Sequence, residues 1–90
     1  MSKKRSSIDI IADMLGTISS NRGEIKPTHL MYKSNLSHVQ MTSYLEDLVR
    51  KGFVGKKKKE SSEYIIITDR GAAFLNKLRE MKEFEKTFGL

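Results

Sequence analysis

Three patterns in these 90 residues predict a small, mainly α-helical α+β domain: two helices joined by a tight turn, a β-hairpin directly after them, and a long C-terminal helix. The second helix of the pair, over 37–51, is the best marked. Ser37 precedes an apolar-periodic run and Gln40 follows three residues later, the spacing of a capping box. Met41, Tyr44, Leu45 and Leu48 then fall on one face at 100° per residue, and Lys51-Gly52 supplies a basic last turn and a residue suited to a left-handed cap. Upstream, Lys26-Pro27-Thr28 opens a shorter apolar pattern at Leu30 and Met31, which leaves only Asn35-Leu36-Ser37 as the connection. Two helices so closely spaced form a helix-turn-helix.

Residues 1–6 read as a basic, disordered tail with nothing to bury, and residues 7–75 as the folded domain. From Ser7 the apolar spacing of Ile8, Ile11, Ala12, Leu15 and Ile18 predicts a first helix, with Asp9 in the first turn where a carboxylate suits the helix dipole. It should end in Ser19-Ser20-Asn21-Arg22-Gly23. Glu24-Ile25-Lys26 has room for a stub of strand that adds to a later sheet. His29 reads as a partly exposed histidine at a helix start, and Tyr32 as a residue at the edge of the core.

After Gly52 the period changes. Phe53-Val54-Gly55 and Tyr64-Ile65-Ile66-Ile67-Thr68 favour strands, and Lys56 to Glu63 reads as the charged loop between them, with Lys56, Lys57, Lys58 and Lys59 at its tip. Thr68 and Asp69 open the last helix, which reaches about 30 Å at 1.5 Å per residue. That exceeds what one side of a small core needs. Ala72, Phe74, Leu75 and Leu78 are expected to close the core, while residues 76–90 extend the helix as a dimerisation element, with Leu78, Met81, Phe84 and Phe88 facing a second copy.

Composition narrows the function. The chain has no cysteine, which excludes disulfides, zinc-thiolate sites and thiol catalysis, and no apolar N-terminal run for a leader or membrane span. His29 and His38 have no partners for a metal site, and neither a phosphate loop nor a nucleophile with its base is present, so a non-enzymatic protein without cofactor is expected. The net charge of +6 favours polyanionic partners. Its excess is uneven: residues 1–68 hold 12 Lys and Arg against 7 Asp and Glu, whereas residues 69–90 hold 5 against 4.

The polar face of helix 37–51 is the candidate reader of base edges. His38 and Gln40 can hydrogen-bond, Thr42 and Ser43 can reach bases or phosphates, and Val39 suits a thymine methyl. Glu46 and Asp47 restrict insertion to the first two turns. Lys26, Lys33 and the four hairpin lysines are candidate phosphate contacts, displacing counterions without reading sequence.

The run L-V-R-K-G-F-V from Leu48 to Val54, followed by Y-I-I-I-T-D-R-G from Tyr64 to Gly71, is similar to the winged helix-turn-helix fold of MarR-like regulators. K-P-T-H-L-M-Y-K-S-N-L-S, Lys26 to Ser37, with Y-L-E-D-L-V-R-K-G, Tyr44 to Gly52, resembles the small archaeal winged-helix DNA-binding proteins that dimerise through a long C-terminal helix. The resemblance covers Ser7 to Phe88. It implies that Ser37, His38, Gln40 and Ser43 belong to the reading helix and Lys56 to Ser62 to the wing, and it departs at a C-terminus shorter than a long coiled coil requires. A cytoplasmic, nucleoid-associated homodimer on double-stranded DNA, as a transcriptional regulator or chromatin protein, is expected. The alternative is a winged-helix protein-interaction module, which would carry an apolar patch across the same face.

Overall fold

The computed structural model describes residues 5–89. In order it contains α1 (Ser7–Ser20), β1 (Glu24–Ile25), α2 (Pro27–Lys33), α3 (His38–Arg50), β2 (Val54–Lys59), β3 (Ser62–Ile67) and α4 (Asp69–Thr87). The strands form one antiparallel sheet in the order β1-β3-β2, so the stub Glu24–Ile25 adds to the hairpin. Met14, Leu15, Ile18, Ile25, Leu30, Leu48 and Ile65 are fully buried, and they come from every element except β2 and α4, which contribute the buried Val54, Leu75 and Leu78.

Helix ends follow local chemistry. Ser6 caps α1 in a box with Asp9, Ser37 caps α3 in a box with Gln40, and the Thr68 hydroxyl accepts from the Gly71 amide at 3.0 Å. At the end of α2 the Leu36 amide donates to the Met31 carbonyl and the Asn35 amide to the Tyr32 carbonyl, with Asn35 at φ 55°. The end of α3 repeats the pattern: Phe53 donates to Leu48 and Gly52 to Val49, with Gly52 at φ 79°. Both are Schellman caps, so the turn of the helix-turn-helix and the exit toward the hairpin are set by the same device.

Four expectations are corrected. In α1 the buried residues are Ile10, Met14, Leu15 and Ile18, whereas Ile8 is exposed. Apolar residues surround this helix, so spacing allowed two phases, and the i, i+4, i+8 set 10, 14, 18 faces the sheet. The four lysines are not at a loop tip, because the strands run on to Lys59 and Ser62 and leave only Glu60-Ser61 as the turn, with Glu60 at φ 57°. Like charges tolerate a strand because alternation sends Lys56 and Lys58 to one face and Lys57 and Lys59 to the other. Ala72 is exposed, and Gly71 takes the buried place beside Leu75 and Leu78. Of the tail, Met1 to Lys4 lie outside the described residues, but Arg5 is bonded: its guanidinium donates to Asp13 at 2.8 Å and to the carbonyls of Ser34 at 2.8 Å and Asn35 at 3.1 Å.

The beginning of α4 locks onto the end of α3. Thr68 donates its hydroxyl to the Gly52 carbonyl at 2.7 Å, and its amide to the Phe53 carbonyl at 3.2 Å. Phe53 and Phe74 stack with centroids 4.4 Å apart, and Arg70 lies over Phe53 while donating to the Lys51 carbonyl at 3.0 Å. A Cβ at Gly71 would collide with the Phe53 carbonyl oxygen and stand 2.9 Å from its carbon. Beyond Leu78 the helix buries no further residue: residues 79–89 are all exposed, and the molecule extends 48 Å along its longest axis against 31 and 21 Å. Lys82 ties this segment back to α1 through Asp9, at 2.7 Å.

Two outcomes follow for stability. Gly71→Ala should lower the unfolding free energy by about 3 kcal/mol in urea melts, since backbone cannot yield to the added methyl. The Lys82 ammonium, with the Ser6 hydroxyl and amide, holds the Asp9 carboxyl down to about 2. Because this carboxyl is depressed on folding, its stabilisation is present above its ordinary value of 3.8 and is lost as pH falls toward about 2. The difference in urea midpoint between wild type and Asp9→Asn should therefore shrink across that window, and a difference independent of pH there would contradict the assignment.

Candidate nucleic-acid interface

The exposed face of α3 comprises Val39, Thr42, Ser43, Glu46 and Arg50, with His38 and Gln40 at its start. Met41, Leu45 and Leu48 anchor the opposite face, and the half-buried Tyr44 places its hydroxyl 3.2 Å from that of Ser7. This burial turns the polar residues outward as the spacing predicted. Their hydrogen-bonding capacity is unequal, however. Ser37 and Gln40 are engaged with each other's backbone, the Gln40 amide donating to the Ser37 hydroxyl at 3.2 Å and the Gln40 side-chain oxygen accepting from the Ser37 amide at 3.0 Å. Gln40 keeps its NH2 to donate outward, and Thr42 spends its proton on the His38 carbonyl at 2.9 Å.

A cleft of about 220 Å³ lies between α2 and α3 with Lys56 of the hairpin at its edge, lined by Thr28, Met31, His38, Thr42, Glu46 and Lys56 among others. The first two turns of α3 and the first hairpin lysine thus face one space. Asp47 does not point unpaired at this surface, because Arg50 and Lys51 bracket it, Lys51 at 2.9 Å. Lys51 holds its carboxyl below the usual range. Among the described residues Glu46 forms no ion pair, so it is the carboxylate of α3 that limits approach of a polyanion.

The remaining cations divide by face. Lys33 is exposed in the last turn of α2, and Lys56 and Lys58 are exposed without a salt bridge among the described residues. Lys57 and Lys59 lie on the other face against Glu24, at 3.9 and 2.9 Å. Lys26 stands with them, 5.9 Å from the Tyr64 ring centroid. The Lys59 hydrogen bond lowers the Glu24 carboxyl, and Glu24 in turn raises the Lys59 ammonium.

Several participants escaped the sequence reading. Tyr32 is 76% exposed, not a core-edge residue, and with Val39 at 77% it gives an apolar flank to the turn between α2 and α3. Seven-residue α2 buries Leu30 fully and packs Met31 partly against the core, which leaves Tyr32 outside it. Leu78, expected both to close the core and to line the dimer face, is buried at 5% in its own domain. It shares the buried face with Leu75, while Met81, Phe84 and Phe88, farther along the helix, are exposed at 58%, 59% and 66%. Phe84 and Phe88 pack on each other with centroids 4.8 Å apart, and Ile8 lines a shallow hollow with Met81. Among the described residues no three His, Asp or Glu side chains gather as for a metal ion, and no helix is long and apolar enough to cross a membrane.

This architecture has counterparts. A protein of Methanocaldococcus jannaschii is 34% identical over 80 residues, spanning 89% of this chain and 76% of that one. Sso10a-2, a DNA-binding protein from Sulfolobus solfataricus, superposes with a TM-score of 0.78 at 20% identity, over 93% of this chain and 85% of its own. A MarR family transcriptional regulator from Streptomyces coelicolor superposes with a TM-score of 0.77 at 17% identity, over 84% of this chain but 54% of its own. The sequence pattern of the winged helix-turn-helix family matches residues 4–86, so the β2–β3 hairpin is a wing and the chain belongs to that family.

Proposed function

We propose that the protein binds double-stranded DNA as a homodimer and acts as a transcriptional regulator or chromatin-associated protein. The observation that carries this reading is the convergence of the exposed first turns of α3 and the wing lysine Lys56 on one cleft, with no buried work left for His38, Ser43 or Lys58 to do. In this reading α3 enters the major groove by its N-terminal half: Gln40 donates to a base edge, His38 and Ser43 reach bases or phosphates, Thr42 accepts from a base amino group, and Val39 meets a thymine methyl. Ser37 acts through the cap that presents Gln40. Lys26, Lys33 and Lys56 to Lys59 neutralise phosphates. That Sso10a-2 is a DNA-binding protein and the Streptomyces protein a transcriptional regulator supports a role on DNA.

The dimer is proposed from α4. Met81, Phe84 and Phe88 form a projecting apolar stripe that its own domain does not cover, and Ile8 extends it onto α1. Lys77 and Glu85 flank Met81 on the same side. An antiparallel pairing of two α4 helices about Met81 sets Lys77 against Glu85 of the partner subunit, whereas a parallel one sets like charges together. Two reading helices would then address the duplex about one helical turn apart.

The apolar flank of Tyr32 and Val39 favours a second reading, a protein-interaction module using the same face. A salt titration of binding to unrelated duplexes separates the two, since a module of that kind has no duplex affinity even at low salt. For a DNA binder, Lys56→Ala with Lys58→Ala should flatten the dependence of log affinity on log salt by about 0.9 for each phosphate no longer neutralised, alike for every duplex. An untouched slope would remove the wing from the interface. Gln40→Ala should instead change which duplex is preferred, by about 1–3 kcal/mol at the base pair it reads. Phe84→Ala with Phe88→Ala should convert the sedimenting species from dimer to monomer; an unchanged mass would sink the proposed dimer.

A further inference from the structure

One carboxylate, Glu24 of the neighbouring strand β1, meets the face of the wing where half its lysines lie. Strand alternation puts Gly55, Lys57 and Lys59 of β2 on the same side as Tyr64 and Ile66 of β3 and Glu24 of β1. Glu24 pairs with Ile66, and Ile66 with Gly55, so the residue of β2 in its own row has no side chain to meet it. The lysines come to Glu24 from farther along the hairpin. Lys59 passes 5.5 Å from the centroid of the Tyr64 ring and donates to Oε2 of Glu24 at 2.9 Å, while the Lys57 ammonium stands 3.9 Å from Oε1.

Two ammonium groups, one toward each oxygen of a single oxyanion and backed by an aromatic ring, make an arrangement that also suits the two free oxygens of a phosphodiester. Resting on the DNA-binding reading above, we propose that Lys57 and Lys59 form a phosphate site on the outer face of the wing, that the Glu24 carboxylate occupies this site in the free protein, and that a backbone phosphate of the duplex displaces it. The exchange goes forward because the pairs are half exposed, the two lysine side chains at 51% and 52%, and an exposed ion pair contributes little. The duplex, by contrast, offers one negative charge for about every 1.7 Å of its axis. The retained carboxylate opposes the exchange, so Glu24 sets how tightly the wing holds DNA. Lys56 and Lys58, on the opposite face, form no ion pair among the described residues.

The test compares duplex binding by wild type, Glu24→Gln, Lys57→Ala with Lys59→Ala, and all three changes together, by fluorescence anisotropy at one salt concentration. Glu24→Gln should tighten binding about three- to tenfold, in keeping with the modest strength of exposed pairs. The gain should vanish when both lysines are absent. Glu83→Gln, an equal loss of charge on α4, should leave affinity within about twofold. Glu24→Thr, a neutral residue that favours strands, should reproduce the gain if charge is the cause. Unchanged or weaker binding by both Glu24 variants, or a gain that survives removal of the two lysines, overturns the proposal while leaving DNA binding intact. A wild-type protein without duplex affinity at low salt overturns the DNA-binding reading and this inference with it.

Discussion

Four elements of this domain are held in register by one junction, where Gly52 and Phe53 meet Thr68 and Gly71. The end of α3, the start of β2, the end of β3 and the start of α4 converge there, and its hydrogen bonds use backbone groups. Thr68 caps α4 with its oxygen while its hydroxyl and amide hold the carbonyls of Gly52 and Phe53. A Cβ at position 71 has no room against the Phe53 carbonyl, so α4 approaches the segment joining α3 to β2 as closely as a glycine permits. Stacking of Phe53 on Phe74 closes the side of the junction. Since the wing is bounded by Phe53 and Thr68, its distance from α3 is a property of this junction and not of the wing's own sequence.

Charge is distributed by pairing as much as by count. Asp47 is bracketed by Arg50 and Lys51, Asp13 is paired with Arg5, Asp9 with Lys82 and Glu24 with Lys57 and Lys59. None of these pairs is buried, and each contributes little to stability by itself. Their effect is on where free positive charge remains. Lys33, Lys56 and Lys58 are left unpaired among the described residues, on α2 and on the cleft side of the wing, whereas the acids of α1 and the end of α3 are neutralised. Arg5 adds a mechanical role: by donating to the carbonyls of Ser34 and Asn35 it satisfies acceptors that α2 leaves open at its end, which steadies the turn into α3.

The second half of α4 obeys a different logic. Up to Leu78 the helix is part of the core, and beyond it the helix carries exposed aromatic side chains packed on each other. The Asp9–Lys82 pair restrains the projecting segment against α1 without covering its apolar side. A helix so arranged presents Met81, Phe84 and Phe88 away from the domain.

Much of this was legible in the chain, because it depends on residues close in sequence. Capping boxes need a serine and a residue three positions on, Schellman caps need Gly52 or Asn35 after the last turn, and the apolar face of α3 needs only its spacing. Those signals marked the helix-turn-helix, the strand stub and the start of α4 to within a residue or two. Where the chain allowed two solutions, only the packed structure chose between them. The phase of α1, with Ile8 out and Ile10 in, was set by which stripe met the sheet. Leu78 turned inward because the junction at Gly71 oriented α4. The lysine run became a strand because pairing with Ser62 to Ile65 satisfied its backbone and alternation separated its charges. Its meeting with Glu24 joins residues 35 apart in the chain, a distance at which no local pattern carries information.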